Sequence, residues 1–181
     1  MTDDPIYRFC PTCAHVLAPI VMMEDGGEKS RLRCSACGFT RWNNPTPVLA
    51  AVIECTDRDG LVLLARNAAW PGRNFALITG FMEAGESPEE GITREVAEET
   101  HLQVEALNLL GVWDFQRKNQ VIIAYHVQAH GEIKLSPELA EYKLLRPGDI
   151  ICWPQGTGQA LAQWLRSRGY EPQIVDWSAK E

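Results

Sequence analysis

The pattern of apolar and polar positions predicts a chain whose central part is built mainly from β-strands. A continuous apolar run at residues 48–53 indicates a buried strand, and the turn residues at 57–60 make residues 61–65 its hairpin partner. Runs of the same kind predict further strands at residues 75–78, 107–115 and 121–130, the last two joined by the polar turn 116–119.

Two segments show helical periodicity. Residues 158–168 place their apolar side chains on one face, which is typical of an amphipathic helix. The other helix is predicted to begin near Pro88, because Ser87 is a good N-cap, proline suits the first helical position, and Glu90 completes a capping box. Strands with flanking helices of this kind indicate an α+β fold.

The helix after Pro88 carries an unusual set of acidic residues. Glu95, Glu98 and Glu99 stand at i, i+3 and i+4, so their carboxylates project from one side of the helix. Because uncompensated carboxylates repel one another and hard cations prefer oxygen ligands, this spacing indicates a Mg²⁺ or Mn²⁺ site. Arg94 is placed to reach back to Glu86 and tie the preceding loop to the helix. A solvated acidic helix face is the alternative for such a charge run.

A second motif consists of two C-x2-C pairs near the N-terminus, which are Cys10, Cys13, Cys34 and Cys37. Their spacing fits a structural zinc site of four thiolates, with no coordination position left open for chemistry. Disulfides are the alternative, but the unpaired Cys55 and Cys152 and the lack of a signal-peptide pattern favour a reducing compartment. We therefore expect residues 1–42 to fold around Zn²⁺ as a small zinc ribbon.

Length and charge limit the classes of function. A chain of 181 residues has room for one ordinary domain plus a small module, and prolines at 45 and 47 favour an extended join. We expect domains at residues 1–42 and 43–181. The net charge of −7 argues against general affinity for nucleic acid or anionic membranes, and no apolar run is long enough to cross a bilayer. We expect a cytoplasmic protein that acts without nucleic acid or membrane.

The acidic segment resembles the Nudix box, G-x5-E-x7-R-E-U-x-E-E-x-G-U, where U is aliphatic. The matching positions are Gly80, Glu86, Arg94, Glu95, Val96, Glu98, Glu99 and Leu102. The late glycine is replaced by His101, although a residue there often needs a positive φ, which histidine adopts less readily. The resemblance implies an α/β/α sandwich with a mixed sheet, and a hydrolase of nucleoside diphosphates linked to another moiety. It also implies catalytic Mg²⁺ or Mn²⁺ bound by the Gly80 carbonyl, Glu95, Glu98 and Glu99, with Glu86 and Arg94 as a structural ion pair.

A four-cysteine ribbon before such a box is similar to the NADH pyrophosphatase group. Residues 137–141 match its PEL-x-E segment, which implies that Glu141 is a further metal ligand, with an ordinary loop glutamate as the alternative. Phe81 resembles the aromatic residue that stacks on a ring of the substrate, although a core phenylalanine is an equal reading. Arg66 and Arg73 are candidates for contact with substrate phosphate, or else are simply solvated.

One departure from that group bears on the substrate. Members that hydrolyse NADH carry S-Q-P-W-P-F-P-x-S after the box, whereas residues 111–120 keep only the aromatic residues Trp113 and Phe115. The pattern is closer to ribbon-bearing relatives that cleave ADP-ribose or FAD to give AMP. We expect such a small nucleotide substrate and a homodimer. The alternatives are an NADH or NAD pyrophosphatase, removal of an NAD cap, and a non-catalytic nucleotide sensor.

Overall fold

The structure is a computed structural model that describes residues 7–176. The described residues belong to two compact units, which meet in sequence between Asn44 and Pro45. The sequence prediction placed the boundary between residues 42 and 43. The outermost residues of the two predicted domains, 1–6 and 177–181, lie outside the described residues.

The first unit contains an antiparallel sheet in the order β1-β2-β3. Its strands are β1 Leu17–Glu24, β2 Gly27–Cys34 and β3 Thr40–Arg41. The hairpin between β1 and β2 turns at Asp25 and Gly26, and Asp-Gly is a favoured pair in two-residue hairpin turns. Its small core consists of Cys10, Leu17 and Cys34, with partly buried side chains packed against them.

The second unit carries the larger sheet and the helices. The longer strands are β4 Thr46–Cys55, β5 Leu61–Asn67, β6 Ile78–Phe81, β7 Gln103–Phe115, β8 Gln120–His130 and β9 Leu139–Leu145. Two short strands, β10 Ile151–Cys152 and β11 Gln173–Ile174, pair in parallel. The helices are α1 Pro88–Thr100 and α2 Thr157–Ser167, and single 3-10 turns lie at Gln116–Lys118 and Pro147–Asp149.

The larger sheet is mixed, which confirms the predicted fold class. Its strands run in the order β7-β8-β4-β5-β9, and β6 also pairs with β4. Strand β4 is parallel to β8 but antiparallel to both β5 and β6. Strands β6 and β5 share one edge of β4, with β6 beside Val48–Ala51 and β5 beside Ile53–Cys55.

The sheet lies between the two helices because its central strand is apolar on both faces. Leu49 and Ile53 pack in one cluster with Ile92 of α1, whereas Val52 packs in another with Trp164 of α2. Alternate side chains of a strand point to opposite faces, so the continuous apolar run of β4 supplies both layers. This is the α/β/α arrangement that the resemblance to the Nudix box implied.

Several strands differ from the prediction, and β7, for example, begins at Gln103 rather than at residue 107. The strand expected at 75–78 begins only at Ile78, since Ala76 makes a single bridge to Ala65 and β6 can pair with β4 only along Val48–Ala51. Strand β9 was not predicted, because it is an edge strand with several exposed polar residues and no long apolar run.

Helix α1 ends at a left-handed residue, although histidine stands where the Nudix box has glycine. His101 adopts the left-handed conformation with φ of 61°, and its backbone N–H donates to the carbonyl of Ala97. Its Nδ1 lies 3.0 Å from the carbonyl oxygen of Lys134. Histidine therefore performs the terminating function that glycine usually has. No helix within residues 7–176 is both long enough and apolar enough to cross a membrane.

Candidate active site on helix α1

The loop before α1 is held by the capping box predicted from sequence. The backbone N–H of Glu90 donates to Ser87 Oγ at 3.2 Å, and the N–H of Ser87 donates to Glu90 Oε2 at 2.8 Å. Glu89 and Glu90 in the first turn also suit the positive end of the helix dipole. These contacts fix the start of the helix that carries the acidic residues.

Strand β6 approaches α1 closely at Gly80. A Cβ atom added at this position would overlap the carboxylate of Glu95. Glycine is therefore required for the strand backbone and the helix carboxylate to lie side by side. The contact brings the backbone of β6 at Gly80 next to the acidic face of α1.

Arg94 lies at the centre of the charged network. It forms a two-point contact with Glu86, from Nη2 to Oε1 at 2.9 Å and from Nε to Oε2 at 3.1 Å. Its Nη1 donates to Glu95 at 2.8 Å and to Glu98 at 3.2 Å, and its Nη2 donates to the carbonyl of Phe81 at 3.2 Å. Arg94 thus links the loop to the helix and compensates two further carboxylates.

These contacts shift the pKa values of Glu86 and Arg94 in opposite directions. Hydrogen bonds from Arg94 lower the pKa of Glu86, which stays ionised. The same bonds, from Glu86 first, raise the pKa of Arg94 above its usual range. The pair is charged throughout the physiological range and holds the loop against the helix.

Glu99 is the buried member of the acidic set, with 9% of its surface exposed. Burial, followed by the negative charges of Glu95, Glu138 and Glu98, raises the pKa of its carboxyl to about 7. A buried carboxyl beside other carboxylates favours either a proton or a cation. The donor set and its surplus of negative charge therefore fit a hard divalent metal ion.

Glu141 does not lie in a loop but on strand β9, where it forms an ion pair. It lies on β9 opposite Arg66 of β5, and Arg66 Nε lies 2.9 Å from Glu141 Oε1. The residue outside α1 whose charge acts on Glu99 is instead Glu138, three positions earlier. Sequence reasoning missed Glu138, although it is the first glutamate of the same PEL-x-E segment.

A cavity of about 420 Å³ lies on the α2 side of the sheet. Within the described residues, its aromatic lining consists of Trp70, Phe75, Phe115 and Trp153. Thr79 also lines it and directly precedes Gly80, so the cavity and the acidic face of α1 meet at one strand, β6. Its volume and mixed aromatic and polar lining are typical of a small-molecule site.

Of the aromatic residues proposed from sequence, only Phe115 lines this cavity. Trp113 packs against the apolar cluster of Val48, Ile122 and Ala160, and it lines a separate cavity of about 390 Å³. Phe81 is 58% exposed, so it is not a core residue. Arg73 is exposed and, like Phe81 and Trp113, lies outside the lining of the larger cavity. Trp70, Phe75 and Trp153 were missed because no local motif marks them.

The cysteines of the first unit converge as their spacing predicts. The Sγ atoms of Cys10, Cys13, Cys34 and Cys37 all lie within 4.8 Å of one another, and all four are free thiols. Burial opposes ionisation of Cys10, but hydrogen bonds from the N–H groups of Thr12 and Cys13 lower the pKa of its thiol to about 6. Four converging sulfurs, one already favouring the thiolate, fit a tetrahedral metal site.

Comparison with known proteins agrees with the geometry of the second unit. The NUDIX domain family matches residues 45–167, which is more than half of the chain. The NAD-capped RNA hydrolase NudC of Mycobacterium bovis (strain BCG / Pasteur 1173P2) is 40% identical over 98 residues, covering 49% of this chain and 31% of that protein. The NudC of Pseudomonas putida is 25% identical over 161 residues, covering 88% of this chain and 54% of that protein. The chain thus spans a third to a half of the length of these curated relatives.

Solved structures show the same fold. A NUDIX hydrolase from Nitrosomonas europaea superposes with a TM-score of 0.71 at 24% identity, covering 93% of this chain and 99% of that one. An ADP-ribose pyrophosphatase from Streptococcus suis has a TM-score of 0.55 at 20% identity, covering 73% of this chain and 100% of that one. With the matched family, the box residues and the sandwich in agreement, the chain belongs to the Nudix family.

Proposed function

We propose that the protein hydrolyses the diphosphate bond of a nucleoside diphosphate linked to a second moiety. The observation that carries the proposal is the meeting of two features at β6. Gly80 brings the strand against the acidic face of α1, while Thr79, the preceding residue, faces an aromatic cavity on the other side of the sheet. A ring in the cavity and a diphosphate at the strand end would belong to one molecule.

The acidic face would hold Mg²⁺ or Mn²⁺ through the Gly80 carbonyl, Glu95, Glu98 and Glu99. When bound, these ions would neutralise phosphate oxygens and lower the pKa of the attacking water. Arg94 keeps Glu95 and Glu98 on one side of the helix, at 2.8 and 3.2 Å from its Nη1. Glu99 would exchange its proton for the cation, since its carboxyl is buried among other negative charges.

We propose Glu141 as a further ligand of the catalytic metal. This assignment requires its carboxylate to exchange its ion pair with Arg66 for the metal. Arg66 would then be released to contact a substrate phosphate, the role predicted for it from sequence. Glu86 and Arg94 would act on the loop rather than on the reaction, because both are already engaged with each other at two points.

The substrate that this site favours is ADP-ribose or FAD, with AMP as a product. Phe115 and its aromatic neighbours offer ring faces for a base, and base stacking is tolerant of small changes in orientation. We propose Phe81, Trp113 and Arg73 as outer contacts to the rest of the molecule. The missing prolines after the box disfavour NADH.

NADH, NAD or an NAD-capped RNA is the second candidate substrate. The observation that favours it is the similarity to proteins named as NAD-capped RNA hydrolases, one of them 40% identical over 98 residues. The acidic chain, with a net charge of −7, offers little general affinity for nucleic acid. Recognition of a capped RNA would therefore rest on its terminal nucleotides.

The test is a panel of ADP-ribose, FAD, NADH, an NAD-capped RNA and diadenosine polyphosphates, each incubated with Mg²⁺ or Mn²⁺. We expect hydrolysis that depends on the added metal, and Glu98→Gln or Glu99→Gln should lower kcat by about 100-fold or more. Glu171→Gln, an exposed glutamate outside the site, is the matched control. The proposal fails if no diphosphate compound is cleaved, or if either box variant keeps the wild-type kcat.

For the first unit we propose one structural Zn²⁺ bound by the four cysteines, which lie within 4.8 Å of one another. We further propose that the protein works in the cytoplasm as a homodimer. Light scattering across a range of protein concentrations measures the assembly directly, and a monomer mass at all concentrations would refute the dimer.

A further inference from the structure

The turn between β7 and β8 places two positive side chains at the aromatic cavity. Arg117 and Lys118 both line it, and both are exposed. The guanidinium of Arg117 lies over the ring of Phe115, with its Cζ 5.6 Å from the ring centroid. The ring contact orders one of the two cations beside an aromatic surface suited to a base.

These cations are available to a ligand. Among residues 7–176, neither Arg117 nor Lys118 forms an ion pair with a carboxylate. The single carboxylate lining the cavity within that range is Asp176, which has a partner of its own. The cavity rim therefore carries more positive than negative charge, although the whole chain is acidic. A local charge of the opposite sign to the chain favours an anionic group on the ligand.

The sheet register separates these cations from the proposed metal site. The turn leads into Gln120, which pairs with Thr46 of β4, while Gly80 pairs with Leu49 on the other side of β4. Two strand spacings, or about 10 Å, therefore lie between the row of β8 and the row of β6. A diphosphate at Gly80 and an anion at the turn would be separate groups on one nucleotide.

We propose that Arg117 and Lys118 form a second anion subsite, which recognises a phosphate carried on the ribose of the nucleoside in the cavity. The inference rests on the proposed function for the position of the nucleoside. A 2′- or 3′-phosphate of a small dinucleotide and the 3′-phosphodiester of an oligonucleotide share this chemistry. Such substrates would be preferred over their counterparts that lack the phosphate.

The test measures binding without turnover. AMP, adenosine 2′,5′-bisphosphate, adenosine 3′,5′-bisphosphate and the dinucleotide pApU are titrated into the full chain by calorimetry at low salt. We expect at least one phosphorylated ligand to bind tenfold or more tightly than AMP. In Arg117→Gln/Lys118→Gln this ratio should fall below about threefold. The ligand with the largest ratio tells a 2′-phosphate, a 3′-phosphate and a phosphodiester apart.

A matched control removes the same two charges elsewhere. Arg146→Gln/Arg166→Gln changes exposed arginines outside the cavity lining and should keep the wild-type ratio. Equal binding of AMP and all phosphorylated ligands by the wild type overturns the subsite, as does a ratio that survives in Arg117→Gln/Lys118→Gln. A variant that loses affinity for AMP and bisphosphates equally would place the cations on the 5′-phosphate, which also overturns it.

These titrations, taken together with the hydrolysis panel, separate this inference from the proposed function. Hydrolysis of dinucleotides without any preference for a ribose phosphate leaves the function standing and removes the subsite. Bisphosphate preference without hydrolysis of any diphosphate compound leaves the subsite and removes the function. Failure of every nucleotide to bind removes both.

Discussion

Gly80 is the residue on which the contact between β6 and α1 depends. Any side chain there would occupy the space of the Glu95 carboxylate. Because that carboxylate is also held by Arg94 at 2.8 Å, it has little freedom to move aside. A single hydrogen atom in place of a methyl group thus permits the geometry of the acidic face.

Gly80→Ala should therefore impair both the fold and the activity. We expect a loss of about 1–3 kcal/mol in the free energy of unfolding, because the added methyl group overpacks the site, and a fall in kcat of tenfold or more. Urea denaturation and steady-state kinetics measure the two effects. Gly148→Ala is the control, since its added Cβ would lie 3.5 Å from Tyr170, an ordinary contact. Wild-type values in Gly80→Ala would contradict the close approach.

Glu99 makes the stability of the protein depend on pH. Its folded-state pKa of about 7 exceeds the ordinary glutamate value of 4.5, so the folded state holds this proton more tightly than the unfolded state. The stability from this group is present at low pH and is lost as pH rises toward and through about 7.

Without added Mg²⁺ or Mn²⁺, the wild type should thus lose more stability between about pH 5 and pH 8 than Glu99→Gln does. The difference should be about 1–2 kcal/mol after allowance for solvent screening. Urea denaturation at the two pH values measures it. Adding Mg²⁺ at pH 8 should stabilise the wild type more than the variant. An identical pH dependence in both proteins would contradict the raised pKa.

The first unit, which contains the sheet of β1, β2 and β3, has too small a core to fold by apolar burial alone. Its buried core consists of Cys10, Leu17 and Cys34 within the described residues, and two of these three are proposed metal ligands. Very small units of this kind usually need a metal or disulfides. The free energy of metal binding then contributes directly to the free energy of folding. The stability of this element should follow its metal content.

Elemental analysis should accordingly find about one zinc per chain, as a site of four thiolates binds one ion. Cys34→Ser should release it, whereas Cys55→Ala, which changes a buried cysteine outside the cluster, should retain it. In the zinc-free protein, hydrogen exchange should accelerate in β1 and β2 before it does in β4 and β8. Zinc-free protein with unchanged protection in β1 and β2 would refute a structural metal.

In the Nudix unit as a whole, the two faces of the sheet would divide the work between chemistry and recognition. Helix α1, which carries the acidic face, packs on one side through Ile92 and Val96, and the aromatic cavity opens on the other, beside α2. Strand β6 has only four residues, so the acidic face on one side of the sheet and the cavity on the other both lie near its end. This division allows substrate preference to change without change to the acidic residues.

The aromatic cavity should determine which substrates the protein prefers. We expect ADP-ribose or FAD to give a higher kcat/KM than NADH. Phe115→Ala should raise KM by about tenfold with a smaller effect on kcat, because stacking acts equally on the ground and transition states. Tyr170→Ala, an aromatic residue outside the cavity lining, is the control. A tenfold preference for NADH, about 1.4 kcal/mol, would show that the prolines are dispensable.

Sequence alone determined the features that rest on local spacing. The capping box, the side of α1 that carries the three glutamates and the contact of Arg94 with Glu86 all follow from residues close to one another in the chain. The convergence of the two cysteine pairs followed from the regular C-x2-C spacing within each pair. The continuous apolar run of β4 likewise indicated a buried strand.

Only the tertiary structure decided which distant residues meet. It paired Glu141 with Arg66, brought the charge of Glu138 to bear on Glu99, and overlaid Gly80 on Glu95. The aromatic cavity gathers side chains from separate loops and strands, namely Trp70, Phe75, Phe115 and Trp153. No periodicity encodes such contacts, because they arise from the order and register of strands in the sheet.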